Sequence, residues 1–557
     1  MDALISKPYG LELFKKDDDY LKVRELQIKI FKDFFKILNQ HHGINYSEKF
    51  WTILTGHWFE LYINFLYKTI NTIKDCINLY DISGTTIHID DHYNLATLDY
   101  SSAISALEDV KWNDFLIYRI LTLMNNDKFP IEILKVKNKF NQDTFFKIQT
   151  IKKSTSVKKN FLDLLIKSYS KIANNFVKNE DAFIINTYLP YIEEIKLQFA
   201  LGQFPQIRKR ESLKIDYECK KTTREKLTKK LINKTSNDLE DILRILLFEN
   251  LPVCYLEGFE KLNDIVTKLS WPKSPKFIFT SNNFHTDEIF KLWTGIRVEN
   301  GVKYYIGQHG NNYFTKKHSF TRVEEETSDK FFTWGWNNDL PKFVPAFIFK
   351  TAGKKKGVYS RNGGLLLIEE ALSQKFFTWD NFSRFENYFK NQKEFVNKLN
   401  KLPRKKLTIR LAPQYQNNKQ NEKKRWLDFD SSLRIDSGST DIRYLISRSR
   451  LVVHSYDSTG LLETLSLNVP TLAFWQDELN HLHENIKPHY QKLVDVGVIH
   501  LNIDSVTSKI NDIWDDIDTW WYQENLQNVI KEFCDKFAKD CSNPSKKMAS
   551  LLVEKEI

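Results

Sequence analysis

Residues 451–475, LVVHSYDSTGLLETLSLNVPTLAFW, read as a strand, a turn, a helix and a second strand in unbroken succession. Leu451, Val452 and Val453 form a short apolar run that gives way to small polar residues, the pattern of a buried parallel strand reaching the edge of its sheet. Ser455, Asp457, Ser458, Thr459 and Gly460 follow. They bring hydroxyls, helix-capping side chains and one residue without a side chain to the start of the apolar-spaced run LLETLSL. A helix start offers unpaired N–H groups at the positive end of its dipole, and open α/β sheets bind ligands beyond the carboxyl ends of their strands. The segment therefore predicts a phosphate-sized site at Ser455, Ser458, Thr459 and Gly460. Glu463, one turn into the helix, reads either as an acceptor for a ribose diol or as a solvated carboxylate complementing the dipole. Asn468, Val469 and Pro470 end the helix, and PTLAFW is the next strand.

Upstream, Lys303 to Trp336 repeats the theme. The strand-like KYYIG leads into Gln308, His309, Gly310, Asn311 and Asn312. Gly310 lets a ligand approach the backbone closely, and a histidine at a strand end serves either to contact a phosphate or to transfer a proton. Gln308 and Gly310 join Glu463 on the expected nucleotide and ribose side. Glu324, Glu325 and Glu326 form a carboxylate run that reads as a solvated face or as the source of a general base, for which Glu325 is the candidate. Phe331, Phe332, Trp334 and Trp336 are expected in the core.

QHGNNY, EEETSDKFFTWGW and SYDSTGLLETLSLNVPTLAFW together resemble the signature of a transferase family encoded in bacterial surface-carbohydrate loci and related to GT-B glycosyltransferases. The N-terminal YSEKFWTILTGHWFELYINFLY and KWNDFLIYRIL resemble that family's first domain, so the likeness covers most of the chain. It implies an α/β, GT-B-like fold, with two Rossmann-like domains facing across a cleft and the N-terminal one rich in helix. The C-terminal domain would hold an activated sugar and the N-terminal one would meet the acceptor. More distantly the chain is similar to enzymes that transfer Kdo from CMP-Kdo and polyol phosphate from CDP-glycerol, which places the donor phosphate at Ser455, Ser458 and Thr459. Where related sequences often continue the His-Gly pair with more glycine, this chain has Asn311 and Asn312, a residue type that tolerates left-handed backbone.

Length and composition fit a large globular enzyme: 557 residues, 41% hydrophobic and 14% aromatic, exclude a disordered chain and allow two or three domains. The five cysteines, Cys76, Cys219, Cys254, Cys534 and Cys541, show no metal-ligand spacing and fit free thiols in a reducing compartment. MDALISKPYG lacks the blocks of a signal peptide, and no apolar run approaches the roughly 20 residues of a membrane helix, so a cytoplasmic location is expected. The net charge of +11 is spread along the chain without a nucleic-acid fold signature, so no nucleic acid is expected as partner. Its densest runs begin at Lys147, Lys220 and Lys350, and read as solvated surface or as contacts to anionic lipid at the inner membrane face.

Residues 1–260 are expected to form a helix-rich acceptor-side domain, with DAFIINTYLP from Asp181 as a strand whose Asn186, Thr187 and Tyr188 face the cleft. The segment from Arg208 to Lys234 reads as a surface excursion. From Pro275, KFIFTSNNF, KYYIGQHG, GLLLIEEA, KLTIRLAP, LVVHS and PTLAFW alternate with helices, which implies a doubly wound parallel sheet within 261–504. Ser281, Asn282 and Asn283 end one of these strands. Arg410 ends another and reads as a donor-phosphate partner or a surface salt bridge. Residues 505–557 are expected as a helical tail packing back on both domains. P-loop, GxSxG, HExxH and GxGxxG motifs are absent, and the triplet Asp428-Phe429-Asp430 is a weak metal clamp. GT-B chemistry implies neither metal nor cofactor. The expectation is a glycosyltransferase moving a sugar from a nucleotide donor, CMP-linked or other, to a glycan or lipid-linked glycan acceptor of a surface polysaccharide or lipopolysaccharide. A CDP-polyol phosphotransferase and a non-catalytic glycan- or nucleic-acid-binding protein are the alternatives.

Overall fold

The computed structural model describes residues 9, 13–89, 95–124, 129–135, 169, 173, 176–208, 210, 213, 218–232, 238–371, 379, 385–413, 421–476 and 478–554. The N-terminal part is built around two long helices, Leu13–His42 and Glu48–Leu79. Ser47 caps the second by accepting from the backbone N–H of Phe50. Helical spacing puts Trp51, Trp58 and Phe59 on one face, which alone would suffice for a core contact. Instead every residue from Ile53 to Lys68 is buried. Its polar members are tolerated because each finds a partner: His57 meets Glu324, Glu60 meets Arg322, and Asn64 accepts from the Trp379 indole. The neighbouring strands β1 (Thr85–Ile89) and β2 (Ile131–Lys135) form a small parallel pair.

Two larger parallel sheets follow. The first runs β3 (Phe183–Ile184), β4 (Phe277–Thr280), β5 (Lys303–Gly307), β6 (Lys330–Thr333) and β7 (Phe343–Pro345), in that spatial order. The second contains β8 (Gly364–Ile368), β9 (Leu407–Arg410), β10 (Arg434–Asp436), β11 (Ser449–His454), β12 (Thr471–Phe474) and β13 (Ile499–His500). Its spatial order is β10-β9-β8-β11-β12-β13. Both are covered by crossover helices, so their central strands are apolar on both faces. Phe331, Phe332, Trp334 and Trp336 lie buried, as their spacing predicts.

The strands after Pro275 therefore do not make one sheet. Those of residues 277–345 pair with β3, and the sheets part between Pro345 and Gly364 rather than at residue 260. Strand and helix alternate in the same way on both sides of that junction, so periodicity alone does not mark where the pairing partner changes. A further difference concerns Arg208–Lys234. Within it, Lys221–Leu231 is a docked helix with Arg224, Leu227 and Leu231 buried, because the Arg224 guanidinium pairs with Glu257 at 2.7 Å. The basic run from Lys147 lies outside the described residues.

The C-terminal helices return across the molecule. Trp514, Trp520 and Trp521 are buried. The chain then passes back to the first sheet, Ile348 N–H donating to Lys539 O and Lys539 N–H to Trp334 O, each at 2.8 Å. In the last helix, Pro544–Val553, Met548, Leu551 and Leu552 share a core with Phe277, Phe279 and Phe332. No helix of the described residues is long and apolar enough to cross a membrane.

Candidate functional site

The carboxyl ends of β5 and β11 face one another. After β11, Ser458 caps the helix Thr459–Ser466 by accepting from Leu461 N–H at 3.0 Å. After β5, the backbone N–H of Asn311 donates to Thr459 Oγ1 at 3.2 Å, so the His309-Gly310 turn lies against that helix start. Asp457 locks the junction. Its carboxylate accepts from Asn311 Nδ2 at 2.7 Å, His481 Nε2 at 3.1 Å and Tyr490 Oη at 3.3 Å, with Lys316 Nζ 3.6 Å away. Burial raises the Asp457 pKa, but Lys316 and these donors outweigh it and hold the carboxyl below its usual range.

The predicted phosphate ligands divide into two groups. Thr459 and Gly460 stand half-buried at the helix start. The Ser458 hydroxyl is engaged in the cap and with His454 Nδ1 at 3.1 Å. Ser455 donates to Ile368 O at 3.0 Å and meets Tyr388 Oη at 2.5 Å, so its side chain belongs to the sheet. Arg410 is buried and pairs with Asp436. Gln308 is also structural: its Oε1 accepts from Trp334 N–H and Trp336 Nε1, both at 2.8 Å, and its Nε2 donates to Gly310 O at 2.8 Å. Asp428 pairs with Lys424 and Asp430 with Arg404. Among the described residues no group of His, Cys, Asp and Glu is arranged to hold a metal ion.

Glu463 faces a cation rather than open solvent, its Oε1 lying 3.3 Å from Lys350 Nζ. The same ammonium sits 4.9 Å from the centre of the Tyr188 ring. Lys354 is pushed down to about 8, by burial first and then by Arg443 and Lys350 against the opposing pull of Glu463. Lys350, Lys354 and Arg443 thus gather beside two carboxylates, Glu463 and Asp441. Tyr188 and Asn186 adopt left-handed backbone, φ 63° and 49°, and Asn282 Nδ2 donates to Tyr188 Oη at 2.5 Å, which brings the ends of β3 and β4 to the same place.

His309 is half-buried between the rings of Tyr188, Phe284 and Tyr313. Burial pulls its pKa down to about 4 against the pull of Glu324, so the imidazole is neutral near pH 7. Tyr313 Oη lies 2.8 Å from His309 Nδ1 and 2.7 Å from Glu324 Oε1, and Glu324 Oε2 lies 3.0 Å from His57 Nε2. Glu324, not Glu325, is thus the carboxylate linked to His309. Glu325, on the next position of the helix Arg322–Thr327, accepts from Thr321 Oγ1 at 2.7 Å, and burial raises it to about 7. Sequence reasoning missed Tyr313, His57 and Lys350. Tyr313 follows His309 by four residues and carried a signal; His57 lay inside an apolar stripe that reads as core, and Lys350 inside a basic run that reads as surface.

Two parallel sheets whose β5 and β11 ends meet through Asn311 and Thr459 are consistent with a GT-B fold. The chain belongs to the LIC12162 family of transferases, whose signature spans residues 7–552. No curated protein matches it by sequence. Among solved structures it is similar to the spinosyn rhamnosyltransferase SpnG in complex with spinosyn aglycone, at 9% identity and TM-score 0.30 over 85% of this chain and 100% of that one. It is also similar to MurG of Acinetobacter baumannii, at 10% identity and TM-score 0.29 over 67% and 98%. For WaaG, a glycosyltransferase involved in lipopolysaccharide biosynthesis, the values are 12%, 0.22, 85% and 100%. Scores this low add nothing to what the sheets themselves show.

Proposed function

We propose that the protein is a glycosyltransferase that moves a sugar from a nucleotide-activated donor to a hydroxyl of a cell-surface polysaccharide or lipopolysaccharide acceptor. The observation that carries this reading is the meeting of two strand ends at one point. The start of the helix Thr459–Ser466, with Lys350 held one turn along it by Glu463, offers positive potential for a donor phosphate, and a neutral His309 belongs to the turn that meets this helix start through Asn311. In the reaction the acceptor oxygen bonds to the anomeric carbon, the bond from that carbon to the donor phosphate oxygen breaks, and the hydroxyl proton passes to His309. The leaving phosphate keeps the electron pair and is stabilised by the helix N-terminus and Lys350. Glu463 holds Lys350 in place and presents an acceptor toward the nucleotide. The acceptor class, and a CMP-linked donor, rest on the resemblance of the QHGNNY and SYDSTG motifs to enzymes of surface-carbohydrate synthesis.

Thermal shift with CMP, CDP, UDP, GDP and ADP tests the donor site. One nucleotide is expected to raise the melting temperature of the wild type, and Lys350→Ala and Thr459→Ala are each expected to shrink that rise. Absence of any shift at millimolar nucleotide would sink the reading. Ser458→Ala is the wrong probe, since it removes a helix cap along with a hydroxyl.

A further inference from the structure

The contacts that end on His309 determine which of its nitrogens carries the hydrogen. Tyr313 Oη lies within hydrogen-bond distance of two groups, His309 Nδ1 and Glu324 Oε1, but a tyrosine hydroxyl has one hydrogen to give. Glu324 is 3% exposed, and each of its oxygens faces a group able to donate, Tyr313 on one side and His57 Nε2 on the other. An ionised carboxylate accepts from both, whereas a protonated one donates to the tyrosine oxygen or to an unprotonated His57 Nε2, so the charge state of Glu324 decides the direction of the chain. Burial disfavours the ionised form, yet His57, His309 and Tyr313 together hold the Glu324 carboxyl down at about 2. Tyr313 therefore donates to Glu324, and the only hydrogen left for the third contact is on His309 Nδ1.

We propose that Tyr313 and Glu324 are positioning residues that hold neutral His309 in its Nδ1–H form, leaving Nε2 as a bare lone pair that accepts the proton of the incoming hydroxyl. This rests on the transferase reading above and sharpens it. A ring with no hydrogen on Nε2 cannot donate to a phosphate from that atom, so proton acceptance is the role open to it. The groups around the ring suit a transient imidazolium. Glu324 lies one hydroxyl away and favours the charge, while Lys350 and His57 oppose it and burial keeps the resting ring neutral; the main-chain carbonyl of Ser281 also accepts from the ring and competes with Tyr313 for the single hydrogen of its neutral form. After proton uptake the positive ring is stabilised through Tyr313 by a carboxylate that never itself takes the proton, and the balance is one proton moved from the acceptor oxygen to Nε2.

Nitrogen NMR of the full chain labelled with 15N-histidine reads this directly, without substrate or nucleotide, with the His309 signals assigned by their loss in His309→Gln. The expected wild-type pattern near pH 7 is a protonated, pyrrole-like Nδ1 and an unprotonated, pyridine-like Nε2. Tyr313→Phe, which removes the acceptor for Nδ1–H, and Glu324→Gln, which lets the amide donate to the tyrosine oxygen, should each move His309 toward the Nε2–H form. A wild-type His309 protonated on Nε2 overturns the proposal, whatever the variants do. An unchanged pattern in both folded variants overturns it as well, because a merely structural role would leave the tautomer where it was. Nucleotide binding is scored separately, so failure here and failure of the donor site are distinguishable.

Discussion

Gly460 shows how tightly the turn after β11 is built. A β-carbon there would lie 2.8 Å from His454 Cε1 and 3.3 Å from its Nδ1. The His454 ring is not free to swing aside, since it is fully buried and its nitrogens meet Ser458 Oγ at 3.1 Å and Thr464 Oγ1 at 3.2 Å. Gly460→Ala is accordingly expected to cost about 1–3 kcal/mol as an overpacked site, read as a lower urea midpoint at unchanged slope. A midpoint equal to the wild type would show that the ring yields. At this scale the sequence displayed the right residue types, hydroxyls and glycine ahead of a helix. It did not display that Ser455 and Ser458 turn their hydroxyls inward, because that choice depends on Tyr388, Ile368 and His454, which arrive from distant positions or the preceding strand.

Between elements, the junction is held by a short pairing of the two halves. Lys317 N–H donates to His481 O at 2.9 Å and His483 N–H to Thr315 O at 3.1 Å, and Asp457 gathers Asn311, Lys316, His481 and Tyr490 behind them. Removing a buried carboxylate that faces such donors leaves them uncompensated, at about 3–5 kcal/mol. Asp457→Ala should lower stability by that order. In hydrogen exchange, residues 313–317 and 480–483 should lose protection together, ahead of the strands. Protection lost in one segment alone would mean that the pairing is not a unit. Strand, turn and helix were legible here from the spacing of apolar residues. The pairing was not, since neither segment has a strand pattern and each bond is made with a residue more than 160 positions away.

For the whole molecule, burial sets an unusual response to acid. His285 and His454 are pulled down to about 3, and His42, His309 and His500 to about 4, with burial the leading cause for each. Unfolded, each takes a proton near pH 6.5, so between pH 6.5 and about 4 the unfolded chain binds more protons and gains on the native state. The contribution is on the order of 2 kcal/mol per fully buried histidine at pH 5. Carboxylates that burial raises, Glu325 to about 7 and Glu369 well above its ordinary value, act in the opposite sense over the same range, and the melting temperature should fall between pH 7.5 and 5 where the five rings outweigh them. Glu324 and Asp457, whose pKa values are depressed, contribute stability that is lost only below the ordinary carboxylate range. A melting temperature that rises from pH 7.5 to 5 would show the raised carboxylates outweighing these rings. At the other extreme of length, deleting residues 544–557 removes Met548, Leu551 and Leu552 from the core that contains Phe277 and Phe279. That deletion should destabilise the first sheet although it lies at the far end of the chain.

What the sequence alone determined is local: apolar runs that end in small polar residues, helix starts rich in hydroxyls, and His309 next to Gly310 at a strand end. From these the α/β class, the strand-end turns and the region of the site followed, because periodicity and capping act over a few residues. Tertiary structure decided the rest. The same strand–helix rhythm served two sheets, so only pairing could place their division between Pro345 and Gly364. Among Glu324, Glu325 and Glu326, chemically alike and adjacent, only the turn of a helix against His57 and Tyr313 selected Glu324. Partners drawn from residues 57, 309, 313 and 324 form one hydrogen-bonded chain because burial left each polar group no water to prefer.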